Sequence, residues 1–282
     1  MRASVATAQP LAGARPNAFA LRLASAVLLA PLAIAAVWAG PPYFTILVTL
    51  VAGIMGWEWG RLTFGPENRA ARFTLIGTEI VAVALGGLAL WKGALLVLGI
   101  GAAVVTALAL RGLRARAAWA ALGIVWIGGG SIAALWLRAV PDAGAITVFW
   151  LFALVWASDS GAYVVGKGVG GPLLAPRISP GKTWSGAVGG LAAAAFVGAV
   201  TEKLMGLPLL SGVLWASVTL SVVGQAGDLA ESLAKRHFGV KDASGLIPGH
   251  GGFLDRLDAM LAVLVVVAGV SLATRTPPLN WP

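Results

Sequence analysis

The sequence predicts an all-α, polytopic integral membrane protein with about nine transmembrane helices and a cytoplasmic N-terminus. Of its 282 residues, 59% are hydrophobic and only 11% are charged, and the mean hydropathy is +0.88. So much apolar surface does not fit inside one water-soluble core. Long runs of Ala, Leu, Val and Gly without a strand-like alternation indicate helices and not the strands of a barrel. The absence of cysteine excludes disulfides and thiolate metal sites.

Each predicted span holds about the 15 to 20 apolar residues that a bilayer crossing needs. The spans lie at residues 21–38, 43–57, 73–91, 93–110, 117–137, 145–165, 186–200, 209–226 and 259–272. A cleaved signal peptide is the alternative for the first span, since small residues lie near its end, but the many later spans favour a retained helix. Residues 1–20 are polar and mildly basic, which predicts a disordered tail. Residues 21–282 then form one transmembrane helical domain.

The basic residues predict how the helices are oriented. With nine spans and the N-terminus in the cytoplasm, most of the 20 Lys and Arg residues fall in cytoplasmic loops, as the positive-inside rule requires. The residues on the other side are Lys92, Arg138, Lys203 and Arg275. The two longest cytoplasmic loops then lie near residues 166–185 and 228–258. Because the net charge of +9 is spread over short loops, it orients the helices, and we expect no nucleic-acid partner.

Polar residues concentrate at residues 228–258, beginning at the end of the eighth span. We expect this span to continue as one helix to about Phe238, because Gly239 is a natural C-terminal stop. At helical spacing, four polar residues then share one face. They are Asp228, Glu231, Ser232 and Lys235. A polar face at the end of an apolar span indicates a functional site.

A further helix is predicted to begin near Leu254, with Asp255 and Asp258 on one face at the mouth of the ninth span. Antiparallel helix ends would bring Asp228 and Asp255 opposite one another. Clustered carboxylates repel unless they are protonated or bridged by a cation, and oxygen ligands without Cys suit Mg²⁺. The spacing therefore favours a magnesium site between the two helix ends.

Basic residues alternate with these carboxylates, namely Lys235, Arg236, Lys241 and Arg256. Carboxylates that hold a cation, with Lys and Arg beside them, suit a polyphosphate substrate, since the metal bridges phosphate oxygens and the basic groups balance the remaining charge. The alternative is a surface helix with ordinary ion pairs and a loop that obeys the positive-inside rule.

The loop near residues 166–185 adds a second set of candidates. Asp159 falls within the apolar sixth span, where a carboxylate is costly enough to indicate function; a satisfied structural Asp near the interface is the alternative. The Gly-Lys-Thr tripeptide at 181–183 resembles the end of a Walker A loop, but Pro176 stands where that motif needs its first glycine, and no strand is predicted before it. What remains is a basic, glycine-rich loop suited to phosphate contacts.

Four other polar residues have simpler structural interpretations. Glu58 and Glu79 lie at or within span ends, where ion pairs with nearby arginines are the simplest interpretation. His237 and His250 are of a type that is more often structural than catalytic. His250 stays a candidate because it lies between glycines in the loop that closes the site.

The motifs resemble those of the phosphatidate cytidylyltransferases, also called CDP-diacylglycerol synthases. The family's C-terminal signature is matched at Ser232, Lys235, Arg236, Lys241, Asp242, Ser244, Ile247, Pro248, His250, Gly251, Gly252, Asp255, Arg256, Leu257 and Asp258. Residues 159–163 and 179–184 are similar to two upstream motifs of the family. The family usually carries Lys at position 181, Glu at 185 and a larger aliphatic residue at 234, where this chain has Gly, Ser and Ala.

The resemblance implies an enzyme that transfers CMP from CTP to phosphatidate, giving CDP-diacylglycerol and pyrophosphate, at the cytoplasmic face of a bacterial inner membrane. It implies Mg²⁺ as the cofactor, and the family suggests a second, monovalent cation such as K⁺. The expected metal ligands are Asp228 and Asp255, then Asp258 and Asp159. The expected catalytic residues are Asp228, Asp255, Lys182, Lys235 and Arg256. The expected substrate-binding residues are Ser179, Lys182, Thr183, Lys235, Arg236, Lys241 and His250.

Two other functions stay open at this point. A CTP-dependent lipid kinase, such as a polyprenol kinase, would use similar acidic and basic elements but transfer the γ-phosphoryl group to an alcohol. An ion-coupled transporter would use Asp159 and interrupted helices as its binding site, although most charges here lie in loops and no inverted repeat is visible. The sequence leaves the oligomeric state open, a homodimer included.

Overall fold

The computed structural model describes residues 18–65, 68–111, 114–248 and 251–281. Its long helices are α1 (Ala18–Ala39), α2 (Tyr43–Phe64), α3 (Arg69–Gly87), α4 (Trp91–Leu110), α5 (Ala117–Arg138), α6 (Gly144–Val169), α7 (Trp184–Leu204), α8 (Gly212–His237) and α9 (Leu254–Thr274). Each predicted span corresponds to one helix, and the predicted extension of α8 and early start of α9 are confirmed. Residues 1–17 of the predicted tail lie outside the described residues, and α1 already begins at Ala18.

Eight of these helices, α2 to α9, are long and apolar enough to cross a membrane, among the residues described. They contain 19 to 26 residues, which corresponds to about 29 to 39 Å at 1.5 Å per residue. The described apolar part of α1, Ser25–Ala39, is shorter. The prediction of a polytopic, all-α membrane protein is therefore confirmed.

The helices form two groups that α9 connects. In the first group α2, α3, α4 and α5 pack against one another, and in the second α7 packs against both α6 and α8. Helix α9 packs on α8 and on α5. The start of α9 therefore lies where the two groups meet.

Contacts between connections show which helix ends lie together. Arg116, just before α5, donates from Nη1 to the backbone oxygen of Thr63 near the end of α2, at 3.1 Å. Ser244, in the α8–α9 connection, contacts the same end of α2. Arg138, at the other end of α5, donates from Nε to the backbone oxygen of Val37 at 2.7 Å. The end of α2, the start of α5 and the α8–α9 connection therefore lie at the same end of the helix bundle. The positive-inside rule assigns these three segments to the same side of the membrane.

A short antiparallel hairpin precedes α7 and was not predicted. Strand β1 (Leu173–Ala175) pairs with β2 (Ser179–Thr183). Strands of 3 and 5 residues are too short to show a recognisable alternation, and β2 contains Pro and Gly, which are unfavourable in strands. The statement that no strand precedes residues 181–183 is thus wrong, although Pro176 in place of the first glycine still excludes a Walker A loop.

Small residues let the helices around the site approach one another closely. A Cβ atom at Gly186 of α7 would lie 2.7 Å from the backbone oxygen of Ala162 on α6, and one at Gly190 would lie 3.0 Å from that of Ser158. A Cβ atom at Gly227 of α8 would lie 2.6 Å from the nearest side chain of α9. Because there is no room for side chains at these crossings, the polar residues next to them on α6, α8 and α9 come close together.

Candidate active site

The first part of the site joins the hairpin to α8. Lys182, on β2, places its Nζ 2.6 Å from Oδ2 of Asp228 on α8, and the two side chains are 26% and 32% exposed. Thr183 holds this strand in place because its Oγ1 accepts a hydrogen bond of 3.1 Å from the backbone N–H of Gly186 and so caps α7. Ser232 adds a long hydrogen bond of 3.4 Å to Oδ1 of Asp228. A solvent-accessible lysine–carboxylate pair is the result.

Two departures from the family motifs are accommodated next to this pair. Ser185 donates a hydrogen bond to the backbone oxygen of Gly170 and lies 3.0 Å from Oγ1 of Thr183, so it ties the end of α6 to the end of the hairpin. A Cβ atom at Gly181 would meet nothing within 4 Å in the described part of the chain. With Gly at position 181 and Ser at position 185, Lys182 still forms its ion pair with Asp228.

The second part of the site is a lysine between two carboxylates. Lys235, on α8, places its Nζ 2.5 Å from Oε2 of Glu231 and 2.5 Å from Oδ1 of Asp255 on α9. Its side chain is 11% exposed, against 0% for Glu231 and 6% for Asp255. Loss of one of the two carboxylates would leave Lys235 paired with the other, but would break a hydrogen bond to a buried charge at a cost of about 1–3 kcal/mol. This bridge therefore fixes the position of α9 relative to α8.

Asp255 also organises the connection that leads into α9. Its Oδ2 accepts hydrogen bonds from the backbone N–H of Gly252 at 2.7 Å and of Ala243 at 3.0 Å. Gly251 has a φ of +87°, and a Cβ atom there would lie 2.8 Å from Oδ2 of Asp255, so only glycine fits. The candidate His250 lies outside the described residues.

Glu58, on α2, is a site residue that sequence reasoning missed. It is 0% exposed, and its Oε1 accepts hydrogen bonds from Oγ of Ser244 at 2.5 Å and from the backbone N–H of Phe253 at 3.0 Å. Its Oε2 accepts from the backbone N–H of Leu254 at 2.8 Å. The expected pairing with arginine is thus replaced by a cap on the first turn of α9, where a carboxylate is favourable.

Asp258 and Asp159 bring two further carboxylates to the site. Asp258, on α9, is 7% exposed. The charge of Asp228 acts on both Asp258 and Asp159, and the charges of Lys182 and Arg256 act on Asp159. Asp228 and Asp255, which were expected to face one another, contact different lysines. The carboxylates of α6, α8 and α9 are therefore close enough for their charges to act on one another. Two lysines, Lys182 and Lys235, form ion pairs with carboxylates of this cluster.

The other predicted substrate-binding residues lie at the edge of this group. Arg236 donates from Nε to the backbone oxygen of Ile178 at 3.2 Å and so holds the hairpin against the end of α8. Ser179 begins β2 and lies opposite Ala175, and Lys241 is exposed in the connection after α8. Arg236 and Lys241 thus lie at the end of α8 and in the connection that follows it.

The donor atoms of the site fit a hard cation. Carboxylate oxygens are the ligands that Mg²⁺ prefers, and the buried Glu231 has an Oε1 without a hydrogen-bond partner among the described residues. In the same part of the chain, no group of three or more Asp, Glu or His side chains converges closely enough to hold an ion. The chemistry of the donors therefore suits a metal, whereas a preformed set of three ligands is not present there.

The chain is similar to known proteins over most of its length. Residues 20–273 match the model of the cytidylyltransferase family. A phosphatidate cytidylyltransferase of Brucella suis biovar 1 is 38% identical over 246 residues, which cover 87% of this chain and 90% of that protein. A protein of the same name from Pseudomonas aeruginosa is 34% identical over 264 residues, covering 88% of this chain and 95% of that protein. The chain therefore belongs to the cytidylyltransferase family.

Proposed function

We propose that this protein is a phosphatidate cytidylyltransferase, which transfers CMP from CTP to phosphatidate and gives CDP-diacylglycerol and pyrophosphate. The observation that carries the proposal is a pair of lysine–carboxylate contacts that join the hairpin, α8 and α9 at one end of a membrane helix bundle, namely Lys182 with Asp228 and Lys235 with Asp255. The similarity to relatives of that name over most of their length supports the choice of substrates. A lipid substrate also suits this position, because its acyl chains can stay in the bilayer.

In the proposed reaction, an oxygen of the phosphatidate phosphate attacks the α-phosphorus of CTP in line. A new P–O bond forms to the lipid phosphate, the bond from the α-phosphorus to the α,β-bridging oxygen breaks, and pyrophosphate leaves. A phosphate monoester is largely dianionic at pH 7, by analogy with phosphorylated side chains whose second pKa is about 6, so no strong base is needed. Since both reactants are negatively charged, the main task of the site is electrostatic.

The basic residues are assigned to the phosphates. Lys182 is partly exposed, and its ion pair with Asp228 places the ammonium group at the opening of the site. Lys235 lies deeper, where Glu231 and Asp255 hold its Nζ from two helices. Arg236 and Lys241 supply charge at the edge, and Arg256 is assigned either to a phosphate or to the orientation of the carboxylates. Ser179, Thr183 and His250 are proposed as further substrate contacts.

The carboxylates are assigned to a divalent cation. Asp228 and Asp255, with Asp258 and Asp159, are proposed to hold Mg²⁺, which when bound neutralises the triphosphate and the leaving pyrophosphate. Asp228 is partly exposed and so accessible to an ion, whereas both oxygens of Asp255 already accept hydrogen bonds. A second, monovalent cation such as K⁺ is a further proposal that rests on the resemblance alone.

The site is proposed to face the cytoplasm at a bacterial inner membrane. The grouping of the basic connections at one end of the helices supports this orientation. Because the chain contains no cysteine, a single Arg177→Cys substitution in the exposed hairpin turn would report the side by labelling with an impermeant maleimide. Labelling in inverted vesicles but not in intact cells is expected. A homodimer is also kept as a proposal, and the mass in detergent by light scattering tests it.

The reaction is tested with purified protein, phosphatidate, Mg²⁺ and CTP labelled separately on the α- and γ-phosphates. We expect the α-label in the lipid fraction and the γ-label in pyrophosphate, and no transfer when the metal is chelated. The γ-label in lipid would instead indicate a kinase. Absence of metal-dependent transfer of either label would contradict the enzyme and favour a transporter.

A further inference from the structure

Glu58 is not among the residues assigned to CTP, phosphatidate or metal, yet it contacts the segment between α8 and α9 that carries several of those residues. Its carboxylate is fully buried and accepts three hydrogen bonds, from one side chain and two backbone N–H groups. The donors lie 186 to 196 residues away along the chain. A contact of this kind links the first helix group to the connection between α8 and α9.

The contact reaches the site because α9 starts there. Leu254, whose N–H donates to Glu58, is followed directly by Asp255, whose carboxylate holds Lys235. Asp258 follows one helical turn later on the same face. A shift or rotation of the first turn of α9 would therefore move both aspartates relative to α8.

The surroundings of Glu58 leave little freedom for such a shift. A Cβ atom at Gly252 would overlap both oxygens of the Glu58 carboxylate, so the backbone at this point lies directly against the carboxylate. The N–H of Gly252 in turn donates a hydrogen bond to Oδ2 of Asp255. The turn before α9 is thus held by both Glu58 and Asp255.

We propose that Glu58 is a positioning residue for the site: its carboxylate fixes the depth and rotation of the first turn of α9, so that Asp255 and Asp258 face the lysine and carboxylates of α8. The expected effect on rate rests on the proposed function, whereas the effect on the loop rests on the contacts alone. Glu58 is assigned no contact with substrate, because its carboxylate is fully buried and already accepts three hydrogen bonds. It acts through the backbone of Phe253 and Leu254.

Glu202 provides a matched control. It is also 0% exposed, and it caps the start of α8 by accepting hydrogen bonds from the backbone N–H of Leu210 at 3.0 Å, that of Leu214 at 2.9 Å and Oγ of Ser211 at 2.6 Å. The chemistry matches that of Glu58, but the capped turn lies at the end of α8 away from Asp228. A loss of helix capping alone should therefore affect both variants equally.

The experiment compares Glu58→Gln with Glu202→Gln in the full-length protein in phosphatidate–detergent micelles. Glutamine keeps the size but turns one acceptor into a donor that faces an N–H group. We expect Glu58→Gln to lower kcat per folded molecule by about 10- to 100-fold, as loss of a supporting contact does at other sites, while the KM for CTP changes far less. Hydrogen exchange at residues 251–258 should rise in this variant. Glu202→Gln should keep the wild-type kcat and the wild-type exchange at 251–258.

Equal kcat values in the two variants would show that Glu58 is only structural and would overturn the proposal. If the wild-type protein transfers no cytidylyl group, the proposed function fails, and hydrogen exchange at residues 251–258 still decides whether Glu58 fixes the turn. If Glu58→Gln does not fold, Ser244→Ala removes one of the three hydrogen bonds and keeps the carboxylate. A smaller fall in kcat at an unchanged melting temperature is then expected, and an unchanged kcat would overturn the proposal.

Discussion

Two helices of this protein begin against a buried glutamate from another helix, and the two arrangements differ in how far apart the partners lie. Glu202, near the end of α7, accepts from backbone groups 8 and 12 residues further on. Glu58, on α2, accepts from backbone groups 195 and 196 residues away. The first cap closes a short connection between neighbouring helices, whereas the second forms only when α2 and α9 are packed in the complete fold.

The difference shows that the same capping chemistry can serve two purposes. At the start of α8 the cap stabilises a helix–helix connection that carries none of the proposed site residues. At the start of α9 it places Asp255, and through Asp255 it places Lys235. Substitutions at the two helix starts should therefore separate effects on stability from effects on activity.

The largest effect is expected from Asp255→Asn. The carboxylate of Asp255 is 6% exposed and pairs with Lys235, and it also accepts from two backbone N–H groups. We expect transfer activity to fall by about 10³-fold, comparable to the loss of a group that stabilises charge in a transition state. The free energy of unfolding should also fall by about 1–3 kcal/mol, because a hydrogen bond to a buried charge is lost. Activity and thermal unfolding in detergent measure the two losses.

Asp228→Asn should lose activity to the same extent but keep its stability. The Asp228 side chain is 32% exposed, and a partly exposed ion pair contributes only about 0–1 kcal/mol. We expect about 10³-fold less transfer at an almost unchanged melting temperature. A variant that keeps near-normal turnover at saturating Mg²⁺ would contradict the proposed role of Asp228 as a metal ligand.

Glu202→Gln should affect stability alone. The carboxylate of Glu202 is fully buried and accepts three hydrogen bonds, so loss of its charge and of one acceptor should cost about 1–3 kcal/mol of unfolding free energy. The kcat of the protein that remains folded should equal that of the wild type. A fall in kcat here would mean that the start of α8 is coupled to the site, and the contrast with Glu58 would then disappear.

The sequence predicted the parts of this structure that depend on local patterns. Apolar runs and the alternation of basic loops predicted the helices and their order, and helical spacing placed Asp228, Glu231 and Lys235 on one face of α8. The pairing of Lys182 with Asp228 was not predictable from spacing, because the two residues lie on separate elements. The positive-inside rule placed both residues on one side of the membrane, and the resemblance to a family assigned both to the site.

Contacts between distant segments explain what the sequence did not predict. Glu58 is one acidic residue in an apolar helix, and no local pattern indicates that its partners lie in the connection before α9. The hairpin at 173–183 was missed because its strands are very short and contain Pro and Gly. A signal for Glu58 did exist: a carboxylate within an apolar span needs a partner, and the sequence supplied the wrong candidate in the nearby arginines.

Glu79 should show the smallest effect, in the direction opposite to that of Glu202. It is fully buried on α3, and neither of its carboxylate oxygens has a hydrogen-bond partner among the described residues. Replacing an unpartnered buried acid by an apolar residue of similar volume is often neutral or stabilising, so Glu79→Met should raise the free energy of unfolding by up to about 1 kcal/mol and leave kcat unchanged. The same substitution at the fully partnered Glu202 is the control and should lower the melting temperature. A clear loss of stability in Glu79→Met would contradict this prediction. It would mean that the carboxyl group of Glu79 has a stabilising partner in the folded protein.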